Sequence, residues 1–66
     1  MNIHNLIKEG SEKLKKTNFK SYLLDSEILM SKVLNKERKF IFLNLNMELD
    51  KGKSTYYKYL VHQRSL

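Results

Sequence analysis

Few side chains in this 66-residue chain are of a kind that does chemistry, and their spacing works against it. The closest carboxylates are Asp25 and Glu27. Two positions apart on a helix, they point about 200° away from each other and cannot share a substrate. Early in a helix, their fitting role is to complement its dipole. His62 falls near the C-terminal end of a helical pattern, where a partly positive imidazole suits the dipole. Neither a carboxylate nor a nucleophile stands near it for acid–base work. His4 reads as a solvated residue of a first turn. Two distant histidines without a single cysteine cannot make a zinc site, and no disulfide framework is available. Glycine occurs only at positions 10 and 52, so neither a phosphate cradle nor a dinucleotide turn can be built. We expect no catalytic, cofactor-binding or metal-ligating residue in this chain.

What remains is charge and aromatic surface. Lys13, Lys15, Lys16 and Lys20 form the densest run of cations, beside Phe19, in a chain of net charge +6 with 13 Lys and Arg against 7 Asp and Glu. Such an excess raises the prospect of an anionic partner. Composition discounts nucleic acid, because all but two of the cations are lysine and alanine is absent, the usage of an AT-rich genome. Base recognition would also want arginines and a polar recognition helix, and the second helix below is too apolar for that. Tyr56, Tyr57 and Tyr59 resemble a stacking platform, but Tyr56 and Tyr57 project onto a core face, leaving Tyr59 alone. The four lysines are the expected partner-contact residues, steering the chain toward an acidic protein patch. A groove for a partner helix is a further possibility, with Met30 and Met47 as adaptable contacts.

The elements that position these residues are helices. The chain has no proline and no low-complexity linker, and its apolar residues recur at helical spacing. The pattern predicts one all-α domain, a small bundle of four, at most five, helices over residues 2–16, 21–34, 37–43 and 51–65. The first buries a narrow stripe of Ile3, Leu6, Ile7, Gly10 and Leu14. Gly10 costs about 1 kcal/mol relative to alanine in a helix interior, so its place in that stripe marks a helix crossing. Ser21 caps the second helix and Asn35 ends it in the left-handed region. That helix is apolar on two faces. Tyr22, Ser26, Leu29, Met30, Val33 and Leu34 share one and Leu24 and Ile28 hold the other, which puts it in the middle of the bundle. Ile41 anchors the short third helix. Residues 43–49 alternate like a strand but have no second alternating run to pair with, so an extended segment with inward-turned side chains is expected. Asp50 caps the last helix, whose core face is Tyr56, Tyr57, Leu60 and the stem of Arg64. A globule of this size buries only about 60% of its unfolded surface, so the core is thin. No apolar run approaches the roughly 18 residues of a membrane span, and Lys8 and Glu9 come too early for a signal peptide. A cytoplasmic monomer is expected.

The run Leu24-Asp25-Ser26-Glu27-Ile28-Leu29-Met30-Ser31-Lys32-Val33-Leu34 resembles the leucine-aspartate-alanine-glutamate-leucine-leucine-leucine segment near the start of the PrmC/HemK family, the release-factor glutamine methyltransferases. Other elements fit in order. The stripe from Ile3 to Leu14 is similar to the family's first helix, Phe40-Ile41-Phe42-Leu43 to its short third segment, and Leu49-Asp50 to the leucine and cap that open its last helix. Tyr57, Leu60, Val61 and Arg64 match a pattern that ends in two arginines, here with Gln63 in place of the first. The departures are Ser26 for the usual alanine and the lack of a proline after Ser21. The resemblance covers nearly the whole chain, although most of its positions are helix-packing ones.

The resemblance implies an N-terminal substrate-recognition domain, with Leu66 falling just before the family's glycine-x-proline turn and methyltransferase domain. S-adenosylmethionine and the asparagine-proline-proline-tyrosine motif would belong to that domain, and the partners would be a class 1 peptide release factor and the chain's own catalytic domain. The reaction implied for the intact enzyme is methylation of the glutamine in the release factor's glycine-glycine-glutamine loop. Two readings from other classes stand beside it: a free-standing basic nucleic-acid-binding module and a helix-binding adaptor.

Overall fold

The computed structural model describes residues 1–17 and 20–66, so the expected placement of Phe19 beside the lysines lies outside the described residues. Four helices form: α1 (Ile3–Lys15), α2 (Tyr22–Leu34), α3 (Arg38–Leu43) and α4 (Lys51–Ser65). Among the described residues there is no strand beyond one isolated bridge. The expected bundle of four is what the chain builds. α1, α2 and α4 pack on one another, and α3 leans on α2.

Each helix end has a chemical reason. Asn2 opens α1, its side-chain oxygen accepting from the Asn5 N–H at 2.8 Å. The next two orphan donors of that first turn, the N–H groups of Ile3 and His4, bond the carbonyls of Met47 and Leu45, both at 3.0 Å. Leu49 donates back to the Met1 carbonyl at 3.2 Å. The extended segment expected over residues 43–49 is shorter than its alternation suggests: Leu43 ends α3, residues 44–46 turn with the Met47 N–H on the Asn44 carbonyl at 2.9 Å, and only residues 47–49 run extended, bridging to Asn2 through Glu48. Leu49 is buried and Leu45 and Met47 pack against the core, whereas Leu43 points outward.

Ser21 occupies the N-cap position of α2 without bonding the backbone; its hydroxyl donates to the Asp25 carboxylate at 3.3 Å. Asn35 ends α2 in the left-handed region (φ 54°), with Lys36 N–H reaching the Ser31 carbonyl and Asn35 N–H the Lys32 carbonyl. That is the double bond of a Schellman ending, made with asparagine in place of glycine. Asp50 caps α4 by accepting from the Lys53 N–H at 2.8 Å.

The core is Ile3, Leu6, Ile7 and Leu14 of α1, Leu29 and Met30 of α2, Ile41 of α3, Leu49, and Tyr57 and Val61 of α4. Val33, Leu34 and Leu60 are half-buried against it. Three expectations about packing are corrected. Leu24 and Ile28 are not core; they are 42% and 39% exposed, because among the described residues α1, α4 and α3 pack on the other sides of α2 and leave that face uncovered. Tyr56 is exposed because the buried stripe of α4 is centred on Tyr57 and Val61, one position round from where Tyr56 and Leu60 would put it. Met30 is wholly buried and is no groove contact.

The helix crossing expected at Gly10 is present, and Tyr57 explains it. A Cβ on Gly10 would lie 2.6 Å from the Tyr57 hydroxyl oxygen and 3.1 Å from Val61 Cγ2. The Tyr57 hydroxyl donates to the Ser26 carbonyl at 3.1 Å, so one ring ties α4 to α2 while lying against α1. Ser26 is fully buried, and its own hydroxyl donates to the Leu23 carbonyl at 2.6 Å. A small residue is what that contact admits.

Candidate functional site

The two carboxylates of α2 diverge as their spacing requires, and each is held by an arginine from elsewhere in the chain. Asp25 faces α4, where Arg64 Nη2 lies 3.3 Å from its Oδ2. Glu27 faces α3, where Arg38 Nη2 donates to its Oε1 at 2.9 Å. Glu27 is 9% exposed, so it is an anchor in the wall of the domain rather than a dipole partner at a helix end. A buried carboxylate needs such a cation, since an unpaired one is costly to desolvate. The sequence showed both charges; it did not show that residues 11 and 39 positions apart meet.

Tyr57 is the one strongly perturbed group with a reactive hydroxyl. Burial pushes its phenol well above the ordinary value of 10, and its proton is committed to the Ser26 carbonyl. It is a packing residue. His62 is exposed in the last turn of α4, and His4 is exposed on the first turn of α1. No group of three or more His, Cys, Asp or Glu among the described residues is placed to hold a metal ion. Among the described residues no helix is long and apolar enough to cross a membrane.

The four lysines do not form one patch. Lys13 lies beside Gly10, Tyr57 and Lys58 in a shallow depression between α1 and α4. Lys15 points toward α2, its ammonium 5.7 Å from the centre of the Tyr22 ring, close enough for a cation–π contact. Lys16 is exposed at the C-cap of α1. Lys20 lies before α2 beside a second depression that Leu23, Leu24, Arg38 and Phe42 also line. A third, more apolar groove runs between α1 and α3, with Ile7, Leu23, Phe42 and Leu45 on its walls and His4, Lys8 and Ser11 along one side. Leu23, Glu27 and Phe42 belong to both of these last two, so they form one continuous surface. Arg38 covers part of it, its guanidinium 5.7 Å from the centre of the Phe42 ring.

Leu23 and Phe42 had not been singled out as surface residues. The available signal was the apolar run Phe40-Ile41-Phe42-Leu43 on a helix of six residues, too short to bury all four. α4 adds a smaller feature, Tyr56 and Tyr59 exposed one turn apart, where a single free ring had been expected.

Both α2 carboxylates are paired, the perturbed tyrosine is sealed, and what the surface offers is apolar side chains edged with cations. Residues 5–66 match the sequence model of a family described as PrmC N-terminal domain. No curated protein and no solved structure matches the chain.

Proposed function

The chain belongs to the PrmC N-terminal domain family, and on that premise we propose that it is the recognition domain of a protein-glutamine N5-methyltransferase that modifies class 1 peptide release factors. The family match over residues 5–66 is the observation that carries this reading. The reactive chemistry, S-adenosylmethionine included, would belong to a catalytic domain elsewhere in the intact protein, and the place of action would be the cytoplasm, where release factors work. The fold is compatible with such a division of labour: a helical unit whose α2 carboxylates and buried Tyr57 are committed within the fold can contribute contacts remote from the reacting glutamine. Binding energy of that kind orients a substrate and adds specificity without taking part in bond making.

Competition tests this. The isolated chain, added in excess to an intact methyltransferase of the family acting on a class 1 release factor, is expected to raise the apparent KM and leave kcat unchanged, because it sequesters the substrate's docking surface. Unchanged kinetics at saturating chain would overturn the reading.

A further inference from the structure

The surface shared by α1, α2 and α3 is more specific than a generic exposed patch. Leu23 is 53% exposed and Phe42 49%, yet both stand at the mouth of a groove of about 290 Å³ whose walls also include Ile7 and Leu45. The groove is open along its length, so it suits bulky side chains delivered on another chain's surface rather than an enclosed small ligand. Of the charges around it, Glu27 and Arg38 neutralise each other at 2.9 Å, which leaves Lys8 on the α1 side and Lys20 on the α2 side as the cations facing a partner. Lys15 stands over Tyr22 at the α1–α2 end.

We propose that this groove is a docking site for an acidic amphipathic helix of a partner protein, which inserts apolar side chains between Leu23 and Phe42 and sets carboxylates against Lys8 and Lys20. Charge complementarity selects the occupant. A second copy of this chain would bring another +6 to a rim that is already cationic. A nucleic acid would need several exposed stacking rings, where the walls of this groove offer Phe42 alone among Ile7, Leu23 and Leu45. In an acidic helix the apolar face supplies affinity, and the flanking carboxylates supply orientation and encounter rate. This docking site deepens the recognition reading but does not depend on which protein owns the helix.

The test uses the isotope-labelled chain and two synthetic helical peptides with the same leucine stripe, one with glutamates and one with lysines on its flanks. The glutamate peptide is expected to shift amide signals of Ile7, Leu23, Phe42 and Leu45, and the lysine peptide to bind at least about tenfold more weakly. Leu23→Gln and Lys8→Glu should each weaken the glutamate peptide about fivefold or more with thermal melting unchanged, as both positions are exposed. Phe42→Gln gives an independent check from the other wall. Equal affinity for the two peptides, shifts centred on Tyr56 and Tyr59, or a dimer whose interface covers Leu23 would each overturn the proposal. Failure of a release factor to bind, with the glutamate peptide still seated here, would refute the choice of partner and leave the groove assignment standing.

Discussion

Gly10, Ser26 and Tyr57 show how much of this domain depends on one close approach. The tyrosine ring lies in the space that a side chain at position 10 would take, and its hydroxyl bonds the backbone of a residue 31 positions earlier. Gly10→Ala should gain about 1 kcal/mol of helix propensity, yet the added Cβ drives against an oxygen held by its hydrogen bond. We expect a net loss of about 1–3 kcal/mol. Tyr57→Phe alone should cost about 1 kcal/mol for the lost bond, and Gly10→Ala should be distinctly milder in the Tyr57→Phe background, because the nearest clash is gone. Denaturant unfolding of the four variants checks this, and strict additivity would show that the two residues do not meet. Gly10 was legible in the sequence, since a glycine inside an apolar stripe has few other uses. Glu27 was not, because nothing local distinguishes a carboxylate that will be covered by a distant arginine from one that stays solvated.

The helices themselves were legible nearly to the residue, because α1, α2 and α4 each carry an apolar stripe and a recognisable end signal. Which face each helix buries was less so. α2 is apolar on two faces, and periodicity cannot say that the Leu24–Ile28 side lacks a neighbour. On α4 the buried stripe runs through Tyr57 and Val61 instead of Tyr56 and Leu60, a shift of one position, about 100° in projection, that several apolar candidates leave open. Residues 44–49 were hardest, as their partner is the start of a helix whose first N–H groups need acceptors. The cap of α4 offers a test at this scale. Asp50 is held below its ordinary value of 3.8, chiefly by the bond from the Lys53 N–H. A lowered native pKa gives stability that is present above 3.8 and lost as pH falls through the native value. The Tm of the natural chain should therefore exceed that of Asp50→Ala at neutral pH, with the gap narrowing on acidification below 3.8. A gap independent of pH would mean that the carboxylate's charge does no work at the cap.

For the molecule as a whole, the informative contrast is between a small core that uses nearly every buried side chain for packing and a surface that leaves large apolar residues uncovered. Leu23, Leu24, Ile28 and Phe42 on one part and Tyr56 and Tyr59 on another are more than a domain of 66 residues needs to expose. Scattered singly they would need no explanation; Leu23, Leu24 and Phe42 are not scattered, since they line one surface with Lys20 and Arg38, and that is the surface the proposed docking would cover. On the proposed reading, family membership names the setting for such an encounter and the positive charge gives it a direction. The most direct measurement is calorimetric titration of the chain with a class 1 release factor at low and at moderate salt. The account predicts saturable one-to-one binding that weakens as salt rises and is reduced by Leu23→Gln. The absence of saturable binding at low salt, from a chain shown by circular dichroism to be folded, would contradict it.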